Sequence, residues 1–175
     1  MVVGLITALD RVPDRDSGRR HPTDRGEQVK VYIAGPMTNM PQFNVPLFDR
    51  VAGELRQKGY EVVSPAELDS QTMRQAALAS HDGNLDELEK TTKETWGHVL
   101  ARDVLVLSDH GVEGIVLLPN WYKSRGATLE ANVGLLNGLE FFAYQEDGGN
   151  ISVVPKEFVL LYINHGYNIR WGNVP

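Results

Sequence analysis

Residues 31–65 read VYIAGPMTNMPQFNVPLFDRVAGELRQKGYEVVSP. The opening VYIA is a short unbroken apolar run that stops at Gly35–Pro36, as a buried strand does when it ends in a corner. Beyond a polar loop, apolar residues return at Val45, Phe48, Val51, Ala52 and Leu55, the spacing of one helical face. Gly59 supplies the helix stop, and Tyr60, Val62 and Val63 restart an extended run that ends at Ser64–Pro65. Strand, helix and strand in this order need a crossover connection, so the two strands lie parallel. The predicted fold class is α/β: a Rossmann-like (flavodoxin-like) parallel sheet flanked by helices, in a single domain.

The same order recurs further along. EGIVLLPNW, residues 113–121, has the apolar run of a buried strand, and SRGATLEANVGLL, residues 124–136, follows it as a short loop with Gly126 and then a helix. That helix start is built of small and apolar residues except for Glu130. Ligands of open α/β sheets sit beyond the carboxyl ends of the strands, so both strand-to-loop corners are candidate binding regions.

Size and charge limit the function. A chain of 175 residues suits one domain with a sizeable core. Without cysteine it offers no disulfide, thiolate metal site or cysteine nucleophile, which suits a cytoplasmic location. The net charge of -6 and the scarcity of basic clusters argue against a nucleic-acid partner. No apolar run approaches the roughly 20 residues of a membrane helix, so no membrane partner is expected. The histidines at 21, 81, 98, 110 and 165 have no ligand spacing, and neither a G-x-G-x-x-G nor a Walker A pattern occurs; no metal and no cofactor is expected.

Residues 1–29 are expected to form a flexible leader whose aspartates offset its basic residues. Residues 30–145 form the α/β domain, with a polar helical insertion over 66–95 that breaks at His81–Asn84. A helix starts near Trp96 and runs to Asp103; Val104–Leu107 continues it or forms a strand, which periodicity does not settle. Residues 146–175 are read as a tail that forms a hairpin or an oligomer contact.

YIAGP (32–36), the Arg102–Asp103 pair, LLPNW (117–121) and S-x-G-A-x-x-E (124–130), in this order, resemble the nucleoside 2-deoxyribosyltransferase-like superfamily, including its phage and bacterial branch. The resemblance covers residues 31–143, about two thirds of the chain. It implies chemistry at the N-glycosidic bond of a deoxynucleoside or its 5'-monophosphate, in a homo-oligomer, with Glu130 as the nucleophile. A carboxylate beneath C1' can stabilise an oxocarbenium-like centre or form a covalent glycosyl-enzyme. The ordinary reading of Glu130 is a first-turn acid favoured by the helix dipole. Asp103 matches the family's second acid, which contacts the sugar and assists proton transfer to the base. Its ordinary reading is a surface partner of Arg102. Tyr32 matches the tyrosine that orients the glutamate, though a strand tyrosine is often core.

Ser124 stands where nucleoside transferases of this superfamily carry an aspartate and where the similar 2'-deoxynucleoside 5'-phosphate N-hydrolases carry serine. A hydroxyl beside helix N–H groups can donate to a phosphate, which an aspartate would repel. Hydrolysis of deoxynucleoside monophosphates is therefore expected before base exchange between nucleosides. The loop from 35 to 44 departs from the phosphate-hydrolase pattern, which has more glycine and an arginine. Gly35–Pro36, Thr38, Asn39, Asn44 and Gly126 complete the expected substrate contacts, although Asn44 also suits an N-cap. Trp121 is a candidate surface for stacking a base. Two other readings remain: a module that holds a nucleotide or ADP-ribose-type ligand without turnover, and an NAD glycohydrolase.

Overall fold

A computed structural model describes residues 28–109 and 111–171. The leader lies outside them except for its last two residues. A central sheet takes the strands in the order β2-β1-β3-β4-β5. These are β1 (Lys30–Ala34), β2 (Glu61–Val63), β3 (Gly114–Leu117), β4 (Glu140–Gln145) and β5 (Asn150–Val153). The first four are mutually parallel and β5 runs antiparallel to β4. The order is that of the flavodoxin-like fold, with its last strand reversed.

Helix α1 (Val45–Gln57) connects β1 to β2 and buries Val45, Phe48, Val51, Ala52 and Leu55, the face expected from the sequence. It ends in a Schellman motif: Gly59 N donates to Arg56 O at 3.0 Å and Tyr60 N to Leu55 O at 3.1 Å. Gly59 has φ +89°, a conformation that costs glycine little. Three helices fill the predicted insertion: α2 (Pro65–Leu68), α3 (Gln71–Ala79) and α4 (Leu85–Thr92). The break between α3 and α4 falls at Ser80–Asn84, where the polar turn residues placed it. Ser70 and Asn84 cap α3 and α4 through their side chains.

Helix α5 (Trp96–Asp109) resolves the ambiguity at Val104–Leu107. Asp103, Val106 and Leu107 are buried while Leu105 is exposed, a helical rather than an alternating pattern. After β3 come a 3-10 turn at Trp121–Lys123 and helix α6 (Arg125–Leu136). The segment read as a hairpin or oligomer contact supplies β5 and then helix α7 (Lys156–Trp171), which the sequence reading did not assign. Lys58 Nζ fixes the turn between β4 and β5 by donating to Gly148 O at 2.9 Å and Asn150 Oδ1 at 2.8 Å.

The core forms two layers, one on each face of the sheet. Val31, Ile33, Val116 and Phe142 pack against α1, with Met73 of α3 and Leu88 of α4 in the same layer. Tyr32, Ala34, Ile115 and Phe141 face α6 and α7 through Ala127, Ala131, Val159 and Ile163. Alternation along β1 thus sends Tyr32 toward α6.

The loop after β1 is pinned to the α3–α4 connection. Asn39 N donates to Gly83 O at 3.0 Å and Gln42 N to Ser80 O at 2.9 Å. Gly83 has φ +71°, and a Cβ there would lie 2.6 Å from Met40 N and closer still to Met40 O. Gly83→Ala is expected to cost about 1–3 kcal/mol and to separate the two segments. A lower urea midpoint with faster proteolytic nicking at 80–84 is the expected result; an unchanged nicking rate would show that the close approach at Gly83 does not hold the two segments together.

Candidate active site

Helix α6 follows β3 through the 3-10 turn, and Ser124 caps it: its Oγ accepts from Ala127 N at 3.3 Å. Ala127, Glu130, Ala131 and Gly134 then fall on the stripe that faces the sheet, and all four are buried. Small residues bring the helix close. A Cβ on Gly134 would collide with Ile115 and come within 3.1 Å of Phe141 Cζ. Glu130 is therefore not an exposed first-turn acid. It is 6 % exposed and lies over β1, where Tyr32 Oη donates to its Oε1 at 2.9 Å.

Asp103 approaches from α5 and is 4 % exposed. Its Oδ1 accepts from Arg102 Nε at 3.0 Å and Nη2 at 2.9 Å. The same guanidinium reaches across to the end of α2, where its Nη1 donates to Oδ1 of Asp69, the residue after the helix, at 2.8 Å. Asp103 does pair with Arg102, as its ordinary reading held, but inside the molecule and on the wall that carries Glu130. One pocket is lined by Asp69, Arg102, Asp103, Ser124, Gly126 and Glu130.

Burial governs the ionisation of this cluster. It pushes the Glu130 carboxyl from an ordinary 4.5 up to about 8, and the negative charge of Asp103 adds to the rise; the Tyr32 hydroxyl and Arg102 oppose it. Burial pushes Asp103 from 3.8 to about 6, with Arg102 holding it down. Tyr32 is raised well above its ordinary value by burial and by the two carboxylates. As pH rises, Asp103 loses its proton first, and between about pH 6 and about pH 8 the pair holds a single proton.

The other expected contacts divide. Gly35, Thr38, Ser124 and Gly126 line the pocket. Packing alone already calls for glycine at 35, since a Cβ would lie 2.8 Å from Leu118 Cδ1. Pro36, Asn39 and Asn44 stand outside the lining. Asn44 occupies the N-cap position of α1 without capping it; its Nδ2 donates instead to Pro36 O at 2.9 Å, bracing the loop. Trp121 is not the stacking surface. It is 7 % exposed, and its ring centroid lies 6.2 Å from that of Tyr122 and 6.3 Å from that of Tyr162, in the layer under α7.

The tryptophan on the pocket wall is Trp96, with the Arg125 guanidinium 4.9 Å from its ring centroid. Sequence reasoning used Trp96 only as a helix boundary. Its signal was available: Trp96, Val99, Leu100 and Asp103 share one helical face, and all four line the pocket. Asp69 was also missed, because nothing in the spacing ties it to Arg102. Among the described residues no cluster of three or more His, Asp or Glu is arranged to hold a metal ion.

Fold and site together define an α/β domain with a buried carboxylate pair in the crevice at the switch point of its sheet. The chain belongs to the family described as Domain of unknown function (DUF4406), which matches residues 29–142. That span holds Tyr32, Asp103, Ser124 and Glu130. Among curated proteins the chain has no match. No helix among the described residues is long and apolar enough to cross a membrane.

Proposed function

We propose that this protein is an enzyme that hydrolyses the N-glycosidic bond of 2'-deoxynucleoside 5'-monophosphates, with Glu130 as nucleophile. The observation that carries the reading is the buried Tyr32–Glu130 hydrogen bond of 2.9 Å in a pocket shared with Asp103. A Glu130 oxygen bonds to C1' as the C1'–N bond breaks, and the bonding pair leaves with the base, whose nitrogen takes a proton from Asp103. Water then attacks C1', giving a proton back to Asp103 and releasing Glu130 with the sugar 5-phosphate. Tyr32 holds the attacking carboxylate in place.

The start of α6 supports a phosphate at the 5' end. Ser124 Oγ accepts from Ala127 N, which leaves its own proton to donate. The first-turn N–H groups at Arg125 and Gly126 precede the intrahelical bonds, and the Arg125 guanidinium lies over Trp96 of the pocket wall. Leu160 and Leu161, about half exposed on α7, suit a homo-oligomer, and a cysteine-free chain suits a reducing compartment such as the cytoplasm.

The test is chromatography of free base released from deoxynucleoside monophosphates, the matching nucleosides and NAD. Release from the monophosphates is expected. Release from nucleosides alone, or base exchange between them, would make the protein a transferase, nicotinamide release an NAD glycohydrolase, and binding without release a ligand-binding module. Ser124→Asp separates the phosphate argument from folding, because aspartate caps a helix as well as serine does. It is expected to lower kcat/KM for monophosphates by roughly 10²-fold relative to nucleosides.

Turnover needs the one-proton state of the pair with the proton on Asp103 and Glu130 ionised; this is the less populated of its two arrangements, and its share is highest where the pair holds one proton. The profile of kcat/KM against pH is therefore expected to be a bell with flanks near about 6 and about 8. A flat profile across that range would remove the carboxylate pair from the mechanism.

A further inference from the structure

Away from the carboxylates the pocket changes character. Its inner wall is made by Met37, Phe43, Met73, Ala77, Leu85 and Leu88, from the loop after β1 and from α3 and α4. No side chain among these six carries nitrogen or oxygen. The backbone of the loop is also committed: Asn39 N donates to Gly83 O, Met40 N to Met37 O, Gln42 N to Ser80 O and Phe43 N to Met40 O. Thr38 is the one polar side chain that the loop adds to the lining.

Phe43 is held on this wall by unusual means. Gln42, Phe43 and Asn44 have φ of 55°, 47° and 59°, a left-handed turn of non-glycine residues. Such backbone is strained and persists only where its surroundings fix it. Here Asn44 braces Pro36, Gln42 N is held by Ser80 O, and the Phe43 ring is buried.

We propose that this apolar chamber receives the leaving base and selects a base bearing an alkyl group, thymine before uracil or cytosine. The inference rests on the N-glycosidase reading for what the occupant is attached to, and on the chamber alone for its chemistry. With C1' at Glu130 and the 5' end at Ser124, the base keeps its glycosidic nitrogen beside Asp103, and its far edge extends along the rest of the lining, which is this apolar wall. The wall offers a 5-methyl group apolar contact, and the Met37 and Met73 thioethers adapt to the face of a ring. The 4-substituent, an oxygen in thymine and uracil and an amine in cytosine, meets the same wall without a partner in all three bases. Discrimination therefore comes from apolar contact with the 5-methyl group, and the polar edge of the base is left to Thr38 and the mouth.

The experiment reads binding and turnover separately on the full chain. Affinities of free thymine, uracil and cytosine are measured by calorimetry, and kcat/KM is measured for their deoxynucleoside monophosphates. Thymine is expected to bind about tenfold tighter than uracil or cytosine, the scale of one buried methyl group. Met37→Gln places an amide on the wall at a half-buried loop position and is expected to shrink the preference for thymine to less than about threefold; circular dichroism checks its fold, and the wild-type series stands without it. If the order of affinities holds while no monophosphate is cleaved, the chamber assignment stands and the catalytic reading falls. If all three monophosphates are cleaved with equal kcat/KM, the catalytic reading stands and the chamber assignment is overturned. Equal affinities for the three bases also overturn it.

Discussion

Glu130→Gln is expected to lower base release by at least about 10³-fold, the scale on which loss of a catalytic nucleophile acts. The amide has nearly the same shape and can still accept from Tyr32, so geometry survives and nucleophilicity does not. The same change is expected to stabilise the fold at alkaline pH. Glu130 has an ordinary value of 4.5 and a folded value of about 8, so the folded state holds its proton more tightly than the unfolded state. Its contribution is fully present below pH 4.5 and is lost as pH rises through about 8. Glutamine does not titrate and escapes that loss. Urea unfolding at pH 9 should find the variant more stable than the wild type, and at pH 4.5 the difference should disappear. A variant that retains activity would exclude Glu130 as nucleophile.

Arg102→Ala is expected to be among the most damaging changes to stability, at about 3 kcal/mol near pH 8. The guanidinium bridges Asp69 and Asp103, whose side chains are 9 % and 5 % exposed, and its loss removes the ion pair each makes with it. Burial already raises both carboxyls, and without Arg102 they rise further. Raised folded values mean that stability falls as pH increases, so the variant's deficit grows above about pH 6 and shrinks toward pH 5 as the acids take up protons. Urea midpoints at pH 5.5 and pH 8 measure it. A deficit equal at both values would trace the loss to packing of the arginine stem instead.

Much of the fold was legible because its segments are long and periodic. The face of α1 follows from residues 45, 48, 51, 52 and 55, and its stop from Gly59. The end of α5 was not legible, since Val104–Leu107 is apolar throughout and only burial reveals the helical period. Helix α7 was missed although Val159, Tyr162 and Ile163 have helical spacing after Pro155, because Asn164, Gly166 and Asn168 just beyond them look like turns.

The site divides along similar lines. The motif order pointed to Tyr32, Asp103 and Glu130, and the structure brings all three to one pocket wall or its hydrogen-bonded support. What sequence did not fix was orientation. Trp121 and Trp96 are equally plausible partners for a base in one dimension, yet the first turns into the layer under α7 and the second onto the pocket. Asn44 had the right residue type for a cap and the wrong backbone: with φ +59° its amide turns to Pro36.

The family match ends at residue 142, partway along β4, and the sheet does not end there. Phe142 is paired with Val153 of β5, and Tyr144 with Ile151. Strand β5 thus screens a row of hydrogen-bonding groups that would otherwise form an open edge beside two buried phenylalanines, a surface on which chains polymerise. The region of family likeness and the sheet are therefore different lengths of this chain: the likeness ends inside β4, and the sheet continues through β5.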